Sequence, residues 1–497
     1  MQNNRESAAK SAVKNLENKF LIDGKLVSSQ AKKTFPVVYA AKNEIIGYAP
    51  ECDEEDINHA VTSSRKAQKL WSKIHPRERG KLLLDCAIEL EKNKEELTNI
   101  LTLETSKAIR TESRLEVNSF TDVLRFYAGL GSEIKGETLP LNTSMLTYTT
   151  REPLGVVVGI IPWNVPLLLM ALKIAPALIA GNSIIIKSSE NAPFAVLKVC
   201  EIMNKILPPG VFNMVSGYGV STGEMLVKHK DISKVTFTGS VLSGKKVYAS
   251  VAEKIIPATF ELGGKGPMII CEDADFDKAL EGAIFAMRFT RQGQSCSAAS
   301  RIYVHEKHYG KFMHEISARL DKLIIGDPFD EATDIGAIIS KKQYEMISSY
   351  LDMTDNSKTI KKITCGKLPA QAEFKKGFFL HPTLITNIEN NHKLVQEEIF
   401  GPVCCVQKWH DFDQVLQAAN DSSFGLTASI WTKDIGKAFR AVNEIEAGLV
   451  QVNQSELVKA NLPYGGFKNS GLGQEATKES MLEHFTKRKT IIINMMG

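Results

Sequence analysis

Cys296 lies in the run Gln292-Gly293-Gln294-Ser295-Cys296-Ser297, among small polar residues just after a glycine turn, which is a setting for a reactive thiol. Upstream, Phe260-Glu261-Leu262-Gly263-Gly264-Lys265 sets a carboxylate at the end of an apolar strand that two glycines then break. A thiol attacks electrophilic carbon as its thiolate, and a nearby carboxylate can take a proton from sulfur or from water. The pair reads as a nucleophile and its base.

Groups that must meet need elements with defined ends, and residues 155–262 predict them. Short β-branched runs at 156–161, 183–187, 211–215, 234–237 and 258–262 alternate with helical patterns, the mark of βαβ units around a mostly parallel sheet. Such sheets bind ligands at the carboxyl ends of their strands. Four of these ends carry polar or glycine-rich segments: Pro162-Trp163-Asn164, Lys187-Ser188-Ser189-Glu190, Gly217-Tyr218-Gly219 with Gly223, and Thr238-Gly239-Ser240. Glycines 217, 219 and 223 are spaced one residue wider than the dinucleotide fingerprint, so alone they read equally well as turn glycines.

A second alternating series, with strands at 268–271, 301–304, 403–408, 426–431 and 448–452 and helices at 276–288 and 309–323, predicts another α/β unit. Glu261 and Cys296 then fall on either side of the boundary, where a cleft forms. Nearer the N-terminus, Asp53 is a predicted cap for a helix with Ile57, Ala60, Val61, Ala67 and Leu70 on one stripe. A second helix is expected from Pro76 past Leu90 and a third over 116–130. Residues 1–19 read as a frayed arm, the alternating run at 146–150 as an exposed arm. The apolar strand at 489–494 has no partner in sequence, so it is expected to pair within the chain or across a subunit interface.

Composition narrows the partners. A chain of 497 residues with 43% hydrophobic content can fill two or three cores. Lys and Arg number 61 against 57 Asp and Glu, and the excess is spread without a basic block, so nucleic acid is not an expected partner. No apolar run is long enough to span a membrane, and the first residues lack the apolar centre of a secretory signal. The 8 cysteines follow neither a disulfide framework nor a metal pair, which fits reduced thiols and a cytoplasmic enzyme. The one histidine cluster, His305, His308 and His314, runs along a charged segment and reads as solvated surface, so no metal is expected.

Six segments in order, Pro162-Trp163-Asn164, Phe237 to Ser240, Glu261 to Lys265, Gly293 to Cys296, Glu397 to Val403 and Gly466 to Gly471, resemble the NAD(P)-dependent aldehyde dehydrogenases, and the likeness runs from about Phe20 to Ile493. It implies a Rossmann-like cofactor domain (1–130 and 152–264), an α/β catalytic domain (265–453), a small β oligomerisation arm (131–151 and 480–497), and a return over 454–479 to the cofactor and substrate region. Cys296 would attack the aldehyde, Asn164 and the Cys296 backbone N–H would hold the oxyanion, and Glu261 would activate the water that hydrolyses the acyl-thioester. Glu475 matches an auxiliary proton-relay position, although a solvated loop carboxylate would look the same.

The cofactor residues implied are Ile161, Pro162, Trp163, Lys187, Ser189, Glu190, Gly217, Gly219, Phe237, Thr238, Gly239, Ser240, Leu262, Gly263, Glu398 and Phe400. A carboxylate at Glu190 accepts ribose hydroxyls and repels a 2′-phosphate, so NAD is favoured and NADP less so. The pocket positions are Val165, Leu169, Leu172, Phe289, Ser295, Ser297, Val458 and Tyr464. Val165, Leu169, Leu172 and Val458 replace bulky or aromatic residues of many relatives, so the aromatic box for trimethylammonium aldehydes is largely missing. The lean is an aliphatic or aromatic aldehyde of medium size, or an acidic semialdehyde if Arg291 or Lys459 points inward; surface charge is the plainer reading of both. Glu261 counts against an acylating enzyme that uses coenzyme A, and the nucleotide residues count against a cysteine hydrolase. A homodimer or homotetramer is expected.

Overall fold

Five parallel strands in the spatial order Phe212–Val215, Ser183–Lys187, Val156–Ile160, Lys234–Thr238, Ala258–Glu261 form the centre of one sheet in a computed structural model, which describes residues 2–29, 32–355, 357–455 and 458–496. Almost every residue of these strands is buried, as continuous β-branched runs covered on both faces require. The strand order reverses between Val156–Ile160 and Lys234–Thr238, and a doubly wound sheet opens a crevice there, outside the carboxyl ends.

Antiparallel strands close both edges. Phe20–Ile22 lies beside Phe212–Val215, and Gly471–Leu472 lies beside Ala258–Glu261, which carries residues 471–475 to the neighbourhood of Glu261. A second sheet holds seven strands in the order Lys361–Thr364, Thr383–Thr386, Val403–Trp409, Arg301–His305, Pro267–Ile270, Thr427–Trp431, Leu449–Val452, all parallel except the first. Its first two strands were not expected, because four-residue runs give periodicity too little length to register.

Asp53 caps the helix Glu54–Trp71 in a reciprocal capping box with Asp56. Ile57, Ala60, Val61 and Ala67 are buried as expected, but Leu70 is 65% exposed. Thirteen steps of roughly 100° put Leu70 roughly 140° away from Ile57, and Trp71 takes the buried place instead.

Two arms differ from their sequence reading. Gln2–Leu16 is a helix that buries Ala9, Val13 and Leu16 rather than a frayed segment; three apolar residues at helical spacing outweigh its polar composition. Met1 lies outside the described residues. The 146–150 run belongs to the strand Met145–Pro153, which pairs antiparallel with Thr486–Asn494 over nine residues and so gives the C-terminal strand its intrachain partner.

Candidate active site

The loop that carries Cys296 is built from backbone that few residues adopt. Arg288 (φ 58°), Gln292 (φ 54°) and Gly293 (φ 65°) are left-handed, and a Cβ on Gly293 would stand 2.0 Å from the Gly401 carbonyl oxygen, so only glycine fits. Gln292 Nε2 donates to the Ser106 and Ala337 carbonyls (3.1 and 3.0 Å), while Gln294 Oε1 accepts from the Ile339 N–H (3.2 Å). The Cys296 thiol is half-buried, with Sγ 3.6 Å from the Tyr464 hydroxyl. Burial pushes its pKa up to about 11, against the hydrogen bond from Tyr464 and the charge of Arg291.

Asn164 is buried at the start of the helix Pro166–Ile179, and its Nδ2 donates to the Gln294 carbonyl at 3.0 Å, beside the Cys296 loop. Its backbone carbonyl accepts from Lys107 Nζ at 2.8 Å. Lys107 pairs with Glu116, whose Oε1 accepts from the Leu167 N–H at 2.7 Å. A buried ion pair thus fixes both the Asn164 backbone and the first turn of its helix, and neither Lys107 nor Glu116 was singled out from sequence.

Glu261 ends its strand fully buried, and neither carboxylate oxygen has a protein hydrogen-bond partner. Burial first, and the Glu475 carboxylate second, hold its pKa well above the usual carboxylate range. Glu475 is no solvated loop residue: it is 3% exposed, accepts from Lys173 Nζ (2.8 Å) and Thr236 Oγ1 (2.9 Å), and pairs through its backbone with Tyr464. Lys173 could have been found from sequence, as the only charge within the apolar helix Pro166–Ile179.

A cleft with about 830 Å³ of empty space, counting the part open to solvent, brings the expected residues together. Pro162, Trp163, Asn164 and Leu169 form one wall, and Thr238, Gly239, Ser240, Leu262 and Gly263 another. Cys296, Glu398 and Phe400 close it, with Gln343 and Met346 as members that sequence did not indicate. Ser240 caps the helix Val241–Ala252, so a helix start lies on the cleft wall and suits an anionic group. Phe400, left-handed at φ 56°, meets Trp163 edge to face at 5.4 Å. Glu398 Oε1 accepts from the Gly264 N–H at 2.9 Å, and burial pushes its pKa up to about 7. A Cβ on Gly263 would come within 2.3 Å of Glu398 Oε2.

The remaining expected residues fall into three groups. Lys187, Ser189 and Glu190 follow the strand Ser183–Lys187, with Lys187 Nζ 4.0 Å from Glu190 Oε2 and its pKa lowered by burial. Gly217 (φ 146°) and Gly219 follow the strand Phe212–Val215, next to it. Both groups lie at adjoining strand ends, outside the lining of the cleft itself. Ile161, Val165, Leu172, Phe237, Phe289 and Ser295 are buried and do not line the cleft.

Ser297, Val458 and Tyr464 line a second cavity of mixed polarity, with Arg288, Ser455 and Thr427 beside Pro267, Ala286 and Leu449. Tyr464 touches the thiol, so this cavity adjoins Cys296 from another side. Arg291 is not a surface charge; its Nε pairs with Glu112 at 2.6 Å inside the protein. Arg288 is the cation of the second cavity, with Nη2 3.3 Å from the Ser455 carbonyl and its guanidinium 4.2 Å from the Phe285 ring centroid.

A thiol and a side-chain amide on the wall of one cleft, with the Glu261 carboxylate buried next in chain to Leu262 of its lining, can attack a carbonyl, hold the resulting charge and move a proton. The cleft fits part of a dinucleotide: a helix start on its wall, a buried Thr238 hydroxyl without a protein partner, and a glycine where a side chain would displace Glu398. Among the described residues no helix is long and apolar enough to cross a membrane.

Comparison with known proteins agrees with this chemistry. The model of the aldehyde dehydrogenase family matches residues 26–491. The chain is 39% identical over 459 residues to the mitochondrial aldehyde dehydrogenase family 2 member B4 of Arabidopsis thaliana, covering 92% of this chain and 84% of that protein. It is 37% identical to the mitochondrial benzaldehyde dehydrogenase of Antirrhinum majus, covering 96% and 88%. Among solved structures, an NAD+ complex of a Bacillus cereus aldehyde dehydrogenase superposes with a TM-score of 0.92 at 35% identity over 97% of both chains. A Staphylococcus aureus betaine aldehyde dehydrogenase bound to NAD+ gives 0.94 at 35% identity over 99% and 98%.

Proposed function

The chain belongs to the aldehyde dehydrogenase family, and on that footing we propose that it oxidises an aldehyde to its carboxylic acid with NAD, through a thioester on Cys296. The observation that carries this reading is the Cys296 thiol on the wall of the cleft that also meets the strand ends at 162–164 and 238–240. Cys296 attacks the aldehyde carbon as a thiolate, and the Asn164 amide and the Cys296 N–H hold the oxyanion of the thiohemiacetal; one such donor is worth about 10² to 10³ in rate. Trp163, Ser240, Glu398 and Phe400 would hold NAD, with Lys187 and Glu190 as the residues for its ribose, and the bound group would supply the hydride acceptor. Glu261 then takes a proton from the water that hydrolyses the thioester, a task suited to a carboxylate whose pKa is raised by burial.

We place the cofactor region at 1–130 and 152–264 and the catalytic region at 265–453, joined by the paired segments within 131–151 and 480–497. NAD is favoured over NADP because Glu190 offers a carboxylate where a 2′-phosphate would sit. Free thiols throughout fit a reducing compartment, with the cytoplasm as the simplest; the two plant relatives are named mitochondrial. A medium-sized aliphatic or aromatic aldehyde remains the lean. The Arg288 guanidinium in the cavity beside Tyr464 favours a second reading, an aldehyde whose far end is anionic. Conversion of Cys296→Ala should abolish NADH production from a panel of aliphatic, aromatic and acidic aldehydes; turnover by that variant would remove the nucleophile and the pathway with it.

A further inference from the structure

We propose that Tyr464 is a further catalytic residue, whose hydroxyl donates to the Cys296 sulfur while that sulfur is anionic, both as the thiolate attacks and as it leaves the acyl group. The proposal rests on the reading of Cys296 as the nucleophile. In the attack the sulfur proton has passed to water, the carbon–sulfur bond forms, and the carbonyl π pair moves to oxygen. In hydrolysis the water oxygen bonds to the acyl carbon, one water proton passes to Glu261, and the carbon–sulfur bond breaks with its electron pair left on sulfur. Negative charge thus sits on the same atom before the first bond forms and after the last one breaks, and a donor aimed at that atom serves both steps.

Backbone pairing brings the hydroxyl there. Tyr464 N–H donates to the Glu475 carbonyl and Glu475 N–H to the Tyr464 carbonyl, at 3.1 and 2.7 Å, and Asn461 N–H donates to the Ala476 carbonyl at 2.7 Å. Gly465 lies against the same segment, where a Cβ would stand 2.5 Å from the Gly473 carbonyl oxygen. Gly471–Leu472 in turn pairs with Ala258–Glu261, so the tyrosine is fixed to the sheet that carries Glu261. Cys296 lines the cleft and Tyr464 the second cavity, and the 3.6 Å contact between Tyr464 Oη and Sγ spans the two.

The sulfur has little else to hold its charge. Among the described residues Tyr464 makes the one side-chain hydrogen bond to Sγ, and Sγ is the one partner of the Tyr464 hydroxyl. Tyr464 is buried, and a buried phenol keeps such a partner. Glu398 and Glu261, when ionised, work against a thiolate, and the cation Arg291 is shared with Glu112 at 2.6 Å. Tyr464 is a donor and not a base: burial, then the Cys296 and Glu261 charges, hold its pKa well above the ordinary phenol value, with Arg288 acting the other way. A thioester sulfur is neutral and accepts weakly, so the bond is strong to the thiolate and weak in the acyl-enzyme. That difference is what makes the contact catalytic, since an equal grip on every state would leave the rate unchanged.

The test removes or tunes one hydroxyl in the full-length enzyme. In cofactor-free Tyr464→Phe, alkylation of Cys296 by iodoacetamide, read on its own peptide by mass spectrometry, should fall roughly tenfold throughout pH 7 to 9, the low end for a hydrogen bond to a charged group. With NAD and whichever of hexanal and benzaldehyde the wild type oxidises faster, the first-turnover burst of NADH and the decay of the acyl-enzyme in rapid quench should each slow roughly tenfold. Replacement of Tyr464 by 3-fluorotyrosine, a more acidic phenol of nearly the same volume, should give alkylation and decay at or above the wild-type rates. Unchanged alkylation in Tyr464→Phe overturns the proposal, and so does a raised KM with burst and decay intact, which would make Tyr464 a substrate contact only. A fluorotyrosine enzyme as slow as Tyr464→Phe overturns it as well. Turnover by Cys296→Ala is a separate failure that rejects the nucleophile itself, whatever Tyr464 does.

Discussion

A thiol with a pKa near 11 is almost wholly protonated at neutral pH, with a thiolate fraction on the order of 10⁻⁴. The resting thiol is therefore masked, and an attack by Cys296 as proposed requires its proton to leave. Because burial raises the value, reactivity should climb about tenfold per pH unit from 7 to 9. Inactivation of the cofactor-free enzyme by iodoacetamide measures this directly, and a profile bending over with its midpoint near pH 8.5 would show an ordinary thiol instead. Cys296, Glu261 and Asn164 stood out as candidates in sequence because each sits in a short run of glycine or rigid residues that has few other uses, and the structure places Cys296 and Asn164 on one cleft. Sequence did not expose Lys107 or Glu116, since their meaning lies in a partner 57 residues away in chain for Lys107 and Asn164, and in burial that a single charged letter does not announce. Arg288 was passed over for Arg291 because both lie close to Cys296 in chain, and only side-chain direction separates them: one pairs with Glu112, the other lines a cavity.

The strands of the first sheet were legible as elements, since fully buried parallel strands are continuous β-branched runs, and their alternation with helices fixed the class of sheet. Their spatial order was not, because crossover connections leave no mark in local composition. The reversal between Val156–Ile160 and Lys234–Thr238 is nevertheless what makes the motifs at 162–164 and 238–240 face one another. The strand Ala258–Glu261 adds the third wall through the glycines that follow it. A Cβ at Gly264 would strike the Cys296 carbonyl at 2.2 Å, which is backbone and cannot yield cheaply, whereas at Gly263 it would strike the Glu398 side chain at 2.3 Å. Gly263→Ala is thus the milder change and the more informative one. It should push Glu398 off the Gly264 N–H and weaken NAD binding about tenfold, roughly 1.4 kcal/mol, with the melting temperature nearly unmoved. Calorimetric titration with NAD checks this, and unaltered affinity would mean that Glu398 does not hold the cofactor.

At the scale of the molecule, the pairing of Met145–Pro153 with Thr486–Asn494 leaves a question of edges. The outer side of Met145–Pro153 is partly covered, as Leu139 N–H donates to Thr147 and Thr149 N–H to Glu137 at 2.9 and 2.8 Å. Among the described residues Thr486–Asn494 has no strand on its other side, and Ile492 and Ile493 are 59% and 41% exposed. Leu449–Val452, last in the seven-stranded sheet, is a second open edge. The partly exposed Ile491-Ile492-Ile493 end of this nine-residue edge is a template for pairing with another chain, and its retention in a folded protein argues for a second copy over it. Successive N–H groups along a strand point to opposite sides, so one of Ile491→Pro and Ile492→Pro removes an outward donor and the other a donor to Met145–Pro153. The outward change should shift sedimentation from a dimer or tetramer toward the 54.9 kDa monomer while NAD still binds. The inward change should instead loosen the intrachain pair and lower the melting temperature. A wild-type chain that sediments as a monomer at micromolar concentration would show that this edge stands open in solution and that each cleft works alone.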